Sequence, residues 1–304
     1  MSMELKKSLL IKTCLSDEQL EYLKNKLSDR YEIDYLPDKP IECDALPRVK
    51  IMIVHELSIQ EVDKYENLSF VQIYGRGTDK VCIDYLENRG IYYCCCSGTE
   101  IVSAIGEYVL LQILFWERNF FWLNKMAHDA TWDWNMRKAF VYRSMRQLKV
   151  GIVGKGKIGT GVSKYLKLLG IEVFFINAGK RMKDKDMEFL NKVDYISLHI
   201  DLTKDNIGCI DKTFFSLMNK NAVLINTARG AIINEYDLLV AYRNGEIRGA
   251  SLDVTVNEPL RENDYLRKCD GIIITPHISG RTETALMENA KEIVKNIYME
   301  VWKQ

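Results

Sequence analysis

The sequence predicts an α/β protein of two doubly wound parallel-sheet domains, and three observations lead to it. Short apolar runs alternate with helical stretches through most of the chain. One of those runs, in VGIVGKGKIG at residues 150–159, passes through spaced glycines straight into a helix. The length of 304 residues allows two domains of ordinary size, each with a buried core.

The elements follow in order. Residues 8 to about 36 read as strand, helix, strand, and KIMIV at residues 50–54 reads as a buried strand before another helical stretch. FVQIYGRGTD at residues 70–79 and GIYYCCCSG at residues 90–98 are each a strand that ends in glycine and polar residues. Such repeated alternation implies a parallel layer. From residue 99 to about 122 runs a long, largely apolar helix, and aromatic residues continue through Trp132 and Trp134. These tryptophans read either as core packing or as an arm that packs against a second subunit.

Residues 148–154 then form a short apolar strand, and Gly154, Gly156 and Gly159 lead into the helical stretch 158–169. Gly154 permits the tight turn, Gly156 lets backbone approach a pyrophosphate, and Gly159 lets helix pack on sheet. The helix amino terminus faces the phosphates, so this is a dinucleotide site of the Rossmann kind. The next strand, GIEVFFIN, ends at Asn177, where the fingerprint usually has an acid that binds the adenosine ribose hydroxyls. Here no acid stands, and Lys180 and Arg181 follow at once. Loss of the negative charge removes repulsion toward a 2′-phosphate, and two cations are at hand to bind it. NADP is favoured; the competing reading is a solvated basic loop, continued by Lys183 and Lys185, around a site that accepts NAD through the Asn177 amide.

Apolar residues at 47% with 28% charged describe a globular protein. Lysines and arginines number 42 against 42 aspartates and glutamates, which gives no sign of a nucleic-acid or membrane partner. The amino-terminal MSMELKKSLLIKTC is too polar for a signal peptide, and no segment approaches the roughly 20 apolar residues that cross a bilayer; a cytoplasmic location is expected. Of the eight cysteines three are consecutive, Cys94, Cys95 and Cys96, and no pair has the C-x-x-C spacing of a zinc site. Neighbours in a strand point to opposite faces, so the run reads as small, reduced, buried residues and no metal is expected.

Late in the chain stand Arg229 in NTARG at residues 226–230, Glu258 in NEP at 257–259 and His277 in TPHISG at 275–280. Reducing a 2-oxo acid requires a cation that holds the carboxylate and polarises the carbonyl, and an acid that protonates the oxygen as hydride arrives. A guanidinium offers a flat, permanently charged fork for the first task. An imidazole titrates near neutrality and serves the second, while a carboxylate beside it favours its protonated form and fixes the ring. Singly, each residue has an ordinary explanation: a capping arginine, a glutamate that ends a strand, a histidine that satisfies a loop.

Together, in this order and with LINTARGAIINEYDLLVAYRNGEIRGASLDV between them, they resemble the D-isomer-specific 2-hydroxyacid dehydrogenase family, from about residue 70 to the end. The resemblance implies D-specific hydride transfer between a nicotinamide, NADP(H) on the reading of the Asn177 loop above, and a small 2-oxo or 2-hydroxy acid, with Arg229, Glu258 and His277 catalytic. It places Thr227 and Ala228 near the nicotinamide ribose, lets Asp253 accept from the carboxamide, and brings Val102, Lys157, Ile158, His277 and Gly280 to the cofactor. His199 would order backbone there. Asp201 departs from the family, which commonly has proline at that position.

IYGRGTD, at residues 73–79, matches the turn whose amides hold the substrate carboxylate in relatives, giving Arg76 and Gly77 a substrate-binding role. Arg76 stands where relatives often have a small or apolar residue and phosphite-oxidising members use lysine. Facing the cleft it favours a substrate with extra negative charge; otherwise it pairs with Asp79 or Glu107. By the same resemblance a Rossmann cofactor domain, residues 99–278 with a dimerisation arm, is inserted in a flavodoxin-like substrate domain formed by residues 1–98 and 279–304. A homodimer, hinged around a cleft, is implied. Two other functions compete: an oxidoreductase acting on phosphite or another oxyanion, and a dinucleotide-sensing interaction protein or corepressor. Formate is disfavoured, because formate-oxidising relatives pair the histidine with glutamine rather than with a residue like Glu258.

Overall fold

The computed structural model describes residues 6–37, 48–129 and 140–301. Trp132 and Trp134 lie outside the described residues. The chain divides into two compact units, Met1–Glu100 with Thr282–Gln304, and Ile101–Arg281.

The first unit contains strands β1 (Lys7–Lys12), β2 (Tyr31–Tyr35), β3 (Val49–Val54), β4 (Phe70–Ile73) and β5 (Tyr92–Cys95), with helices α1 (Asp17–Leu27), α2 (Ile59–Val62) and α3 (Ile83–Asn88) between them. All pairs are parallel, in the order β2-β1-β3-β4-β5, the doubly wound arrangement of flavodoxin-like domains. Near-continuous apolar strands are what a sheet covered on both faces demands. Leu9, Ile11, Ile51 and Ile53 turn to one face, against Ala290, Ile293 and Ile297 of the last helix, Glu283–Val301. Leu10, Met52, Val54 and Val71 turn to the other, with Val62 and Leu86. Gln72 is fully buried, and its amide is satisfied by the Ile73 and Cys94 carbonyls and by Asn296, whose Nδ2 donates to its Oε1 at 3.0 Å. None of the seven described cysteines is part of a disulfide. The expectation of a uniformly buried cysteine run is corrected: Cys94 and Cys95 are half-buried because β5 is an edge strand, and only Cys96, just past it, is buried. Burial pushes the Cys96 thiol up to about 12.

In the second unit the expected single helix is two. Helix α4 (Glu100–Glu117) ends, and α5 (Phe120–His128) begins after Asn119, whose left-handed backbone, φ 48°, breaks the run. The unit continues β6 (Lys149–Val153), α6 (Lys157–Leu168), β7 (Glu172–Ile176), α7 (Asp184–Lys192), β8 (Tyr195–Leu198), α8 (Lys212–Leu217), β9 (Val223–Asn226), α9 (Glu235–Arg243), β10 (Gly249–Leu252) and β11 (Ile272–Ile274). These strands form one parallel sheet, β7-β6-β8-β9-β10-β11. Ile105, Val109 and Ile113 of α4 cover one face together with Val162 and Leu166 of α6, over Val150, Ile152, Val223 and Ile225. Helices α7, α8 and α9 cover the other through Leu190, Phe214, Phe215 and Leu238. At the end of α4 the buried Glu117 carboxylate accepts from Arg143 Nε at 3.0 Å and from Tyr195 Oη at 2.9 Å. Burial pushes Glu117 up, but these bonds and the guanidinium charge outweigh it and hold the carboxyl below its usual range. Among the described residues no helix is long and apolar enough to cross a membrane.

Candidate active site

The chain leaves β6, adds β7 on one side and returns to β8 on the other, so the carboxyl ends of β6 and β8 form a topological switch point. The glycine turn sits there. Gly154 has φ 109°, and a Cβ on it would stand 2.3 Å from the His199 carbonyl oxygen; one on Gly159 would stand 2.2 Å from the Gly154 oxygen. Around Gly156 a Cβ would meet nothing within 4 Å. Two glycines are thus fixed by packing and the middle one leaves open space. Helix α6 begins at Lys157 with no side chain capping its amino terminus, so its first amides remain available to an anion. Ile158 is half-buried against the core beside that turn. Val102, in the first turn of α4, packs so closely on α6 that a Cβ at Gly161 would come within 2.0 Å of its Cγ1. His199 Nε2 lies 2.9 Å from Ser197 Oγ, and burial drives the imidazole down to about 4, which keeps it neutral. The turn that holds Asp201 is closed by Asn206, whose Nδ2 donates to the Asp201 carbonyl at 2.7 Å.

At the end of β7 an acid is present after all, from another element. Asp186, on α7, accepts from the Asn177 backbone N–H at 2.9 Å and from Asn177 Nδ2 at 3.2 Å. Lys180 and Arg181 are exposed, and Lys180 makes a loose surface pair with Asp205 at 3.8 Å.

The other end of the site is built on β9, β10 and β11, whose carboxyl ends lie along the same edge because the strands are parallel. After β9 the Asn226 side chain folds the turn: its Oδ1 accepts from Ala228 N at 3.0 Å and its Nδ2 donates to the Arg229 carbonyl at 2.9 Å. Thr227 is buried and its Oγ1 has no partner among the described residues, so its desolvation is left uncompensated by them. Arg229 is half-buried, and Nη1 donates to the Ala228 carbonyl at 2.8 Å.

Asp253, at the end of β10, is 1% exposed and organises the loop that follows β11. It accepts from Thr275 Oγ1 at 2.6 Å, Ile278 N at 2.9 Å and Ser279 N at 2.8 Å. Because Thr275 gives its proton to the carboxylate, Tyr108 Oη, 2.5 Å away, is the donor to Thr275. This bracket encloses His277, whose backbone is left-handed at φ 53° and whose Nδ1 stands 3.2 Å from Glu258 Oε2. Glu258 and His277 are therefore brought together, next to a cavity of about 450 Å³ lined also by Asp253, Leu260, Arg267 and Thr275. Gly280 closes the loop against α4, where a Cβ would press on Ile101 Cγ1 at 3.1 Å. Arg76 and Gly77 belong to the other unit, in the turn after β4; Arg76 is exposed and, within that unit, makes no ion pair with Asp79. Sequence reasoning missed Asp186, Thr275 and Tyr108. Thr275 lies inside a quoted motif, whereas Tyr108 is one aromatic residue in an apolar helix and carries no signal.

The residues present fit a dinucleotide: an open glycine turn, an uncapped helix amino terminus and an unpartnered buried hydroxyl share the carboxyl edge of one parallel sheet. Among the described residues no cluster of His, Cys, Asp and Glu is placed to hold a metal ion. The model of the D-isomer specific 2-hydroxyacid dehydrogenase NAD binding domain matches residues 110–279, more than half of the chain. The chain belongs to the D-isomer-specific 2-hydroxyacid dehydrogenase family.

This dehydrogenase is accordingly an NAD(P)-dependent oxidoreductase acting on a small molecule. It is 29% identical to the glyoxylate reductase of Thermofilum pendens, over 81% of this chain and 76% of that protein. It is 26% identical to the D-3-phosphoglycerate dehydrogenase of Archaeoglobus fulgidus over 95% of this chain, and spans 56% of that longer protein. Among solved structures, an acyclic imino acid reductase in complex with NADPH and D-Arg superimposes with a TM-score of 0.83, at 22% identity over 97% of each chain. The D-lactate dehydrogenase of Aquifex aeolicus, solved with NAD and lactic acid, gives 0.83 at 23% identity over 97% of this chain and 96% of that one. At those identities the likeness establishes the fold.

Proposed function

We propose that this dehydrogenase reduces a small 2-oxo acid to the D-2-hydroxy acid with NADPH, and that Arg229, Glu258 and His277 carry the reaction. The observation that bears most weight is the His277–Glu258 pair, 3.2 Å apart in a loop that the Asp253 carboxylate holds through two backbone amides and the Thr275 hydroxyl. A bound nicotinamide supplies the hydride. Arg229, on the turn after β9, takes the substrate carboxylate and polarises the carbonyl. His277 gives the proton on Nε2 to the carbonyl oxygen, while Glu258 accepts from Nδ1–H and keeps that nitrogen the one that points away from substrate. In oxidation the same imidazole takes the proton back.

On the cofactor side we assign Val102, Gly154, Gly156, Lys157, Ile158 and Gly159 to the phosphate end. Thr227, Ala228, Asp253, His277 and Gly280 serve the nicotinamide end, and the unpartnered Thr227 hydroxyl supports that assignment. Asn177 with the exposed Lys180 and Arg181 is the basis for preferring NADPH over NADH. We take residues 1–98 with 279–304 as the substrate domain, where Arg76 and Gly77 meet the anion, and residues 99–278 as the cofactor domain. A homodimer in the cytoplasm is the proposed working form.

One observation favours a second reading. Arg76 is an exposed cation with no ion pair among the described residues, which suits a substrate of higher negative charge such as phosphite. A turnover screen of small 2-oxo acids, phosphite and formate with both dinucleotides separates the possibilities. Consumption of NADPH with a 2-oxo acid and a D product supports the first reading; reduction of NADP⁺ by phosphite supports the second. Dinucleotide binding without turnover of any of them would overturn both and leave a sensing or corepressor role.

A further inference from the structure

The loop after β7 contains two opposed signals. Its cations, Lys180, Arg181 and Lys183, are exposed and suit a 2′-phosphate. Beneath them lies a negative charge that the usual strand-end acid would have placed at the surface. Asp186 is 5% exposed and too deep to touch a ligand. Both of its oxygens are engaged: Oδ1 by Asn177 N at 2.9 Å and by Asn177 Nδ2 at 3.3 Å, Oδ2 by Lys183 N at 2.9 Å and by Asn177 Nδ2 at 3.2 Å. Burial pushes this carboxyl up, yet the four bonds and the Lys183 charge outweigh it and hold the group ionised.

The consequence falls on Asn177. The Asn177 Nδ2 has two N–H groups and meets both oxygens of the buried carboxylate, so with both engaged the amide has only its acceptor, Oδ1, to offer a ligand. An outward acceptor suits a ribose hydroxyl, which can donate, and opposes a 2′-phosphate, which cannot when fully ionised. We propose that Asp186 is a positioning residue for cofactor choice: it orients Asn177 as an acceptor toward the adenosine ribose and thereby restrains the preference for NADPH that the surrounding cations would otherwise set. The proposal rests on the dinucleotide reading of this site.

Binding of NADPH and NADH to the full chain, measured by calorimetric titration without substrate, provides the test. Asp186→Asn keeps an acceptor for the backbone amides but removes the charge and frees the Asn177 amide to turn. It is expected to shift the ratio of Kd for NADH to Kd for NADPH toward NADPH by about tenfold, the scale of one charge-assisted hydrogen bond. An unchanged ratio overturns the role of Asp186, while the wild type's own binding of NADPH or NADH keeps the dinucleotide reading intact. Failure of the wild type to bind either one overturns that reading, and the proposal with it. A merely structural role would weaken both dinucleotides alike. Asn177→Ala leaves the backbone bonds of Asp186 in place and is expected to weaken NADH about tenfold more than NADPH; equal weakening counts against the proposal even if Asp186→Asn does not fold. Adding Asp186→Asn to Asn177→Ala should move the ratio less than the single change does, because the action runs through Asn177.

Discussion

At the scale of single residues the proposed chemistry divides between a group that binds and a group that transfers a proton, and the two should fail differently. Arg229 does both binding and polarisation, so Arg229→Lys, which loses the planar fork, is expected to raise KM and lower kcat/KM by about a hundredfold or more. His277→Ala removes a proton donor without removing the carboxylate's partner, so the loss should appear mainly in kcat, by about a hundredfold to ten-thousandfold. Steady-state kinetics on the 2-oxo acid that emerges from the screen decides this, and turnover close to wild type in either variant removes that residue from the mechanism. Arg229, Glu258 and His277 could be singled out because each sits in a short local motif whose wording survives without knowledge of the fold. Asp186 was not legible: its effect on Asn177 passes through hydrogen bonds between residues nine positions apart, and nothing in the spacing of KDKD marks one aspartate as buried.

At the scale of elements the strands could be read because a sheet covered on both faces requires apolar runs such as KIMIV and GIEVFFIN, and the structure has strands at both. The break between α4 and α5 could not be read, since Trp116, Phe120 and Trp122 continue the apolar composition across Asn119 and composition does not record the sign of φ. The loop after β11 gives an element-scale prediction of its own. Its shape depends on the relay from Tyr108 through Thr275 to Asp253, and burial pushes the Tyr108 hydroxyl up to about 12, so it remains a donor at any working pH. Thr275→Val removes the middle of the relay and leaves a hydroxyl and a carboxylate oxygen short of a partner. A loss of about 2 to 3 kcal/mol in denaturant unfolding is expected, with a fall in kcat because the His277 ring is no longer held against Glu258. Tyr108→Phe removes only the outer donor and should cost about 1 kcal/mol. Unchanged stability and kcat in Thr275→Val would mean that the backbone alone holds this loop.

At the scale of the whole molecule, building a ligand site on the switch point leaves a neutral histidine at its centre, and that choice has a consequence for acid stability. The ordinary imidazole titrates near 6.5, whereas burial holds His199 down to about 4 in the folded chain. Above pH 6.5 neither state is protonated and the full stability is present. Between 6.5 and 4 the unfolded chain takes up a proton that the folded chain refuses, so stability falls as pH falls, by on the order of 3 kcal/mol in all. The carboxyls held low, Asp186, Glu117 and Glu61, act in the same sense but only as pH drops below their ordinary values of 3.8, 4.5 and 4.5. Glu235, which burial pushes up, acts in the opposite sense just above 4.5 and masks part of the slope there. The contribution of His199 is therefore read as a difference between proteins. His199→Gln keeps a polar partner for Ser197 and cannot take up a proton, so its Tm should change less than that of the wild type between pH 6.5 and 4.5. Parallel Tm profiles for the two proteins across that window would show that protonation of this buried ring does not control the acid limit of the fold.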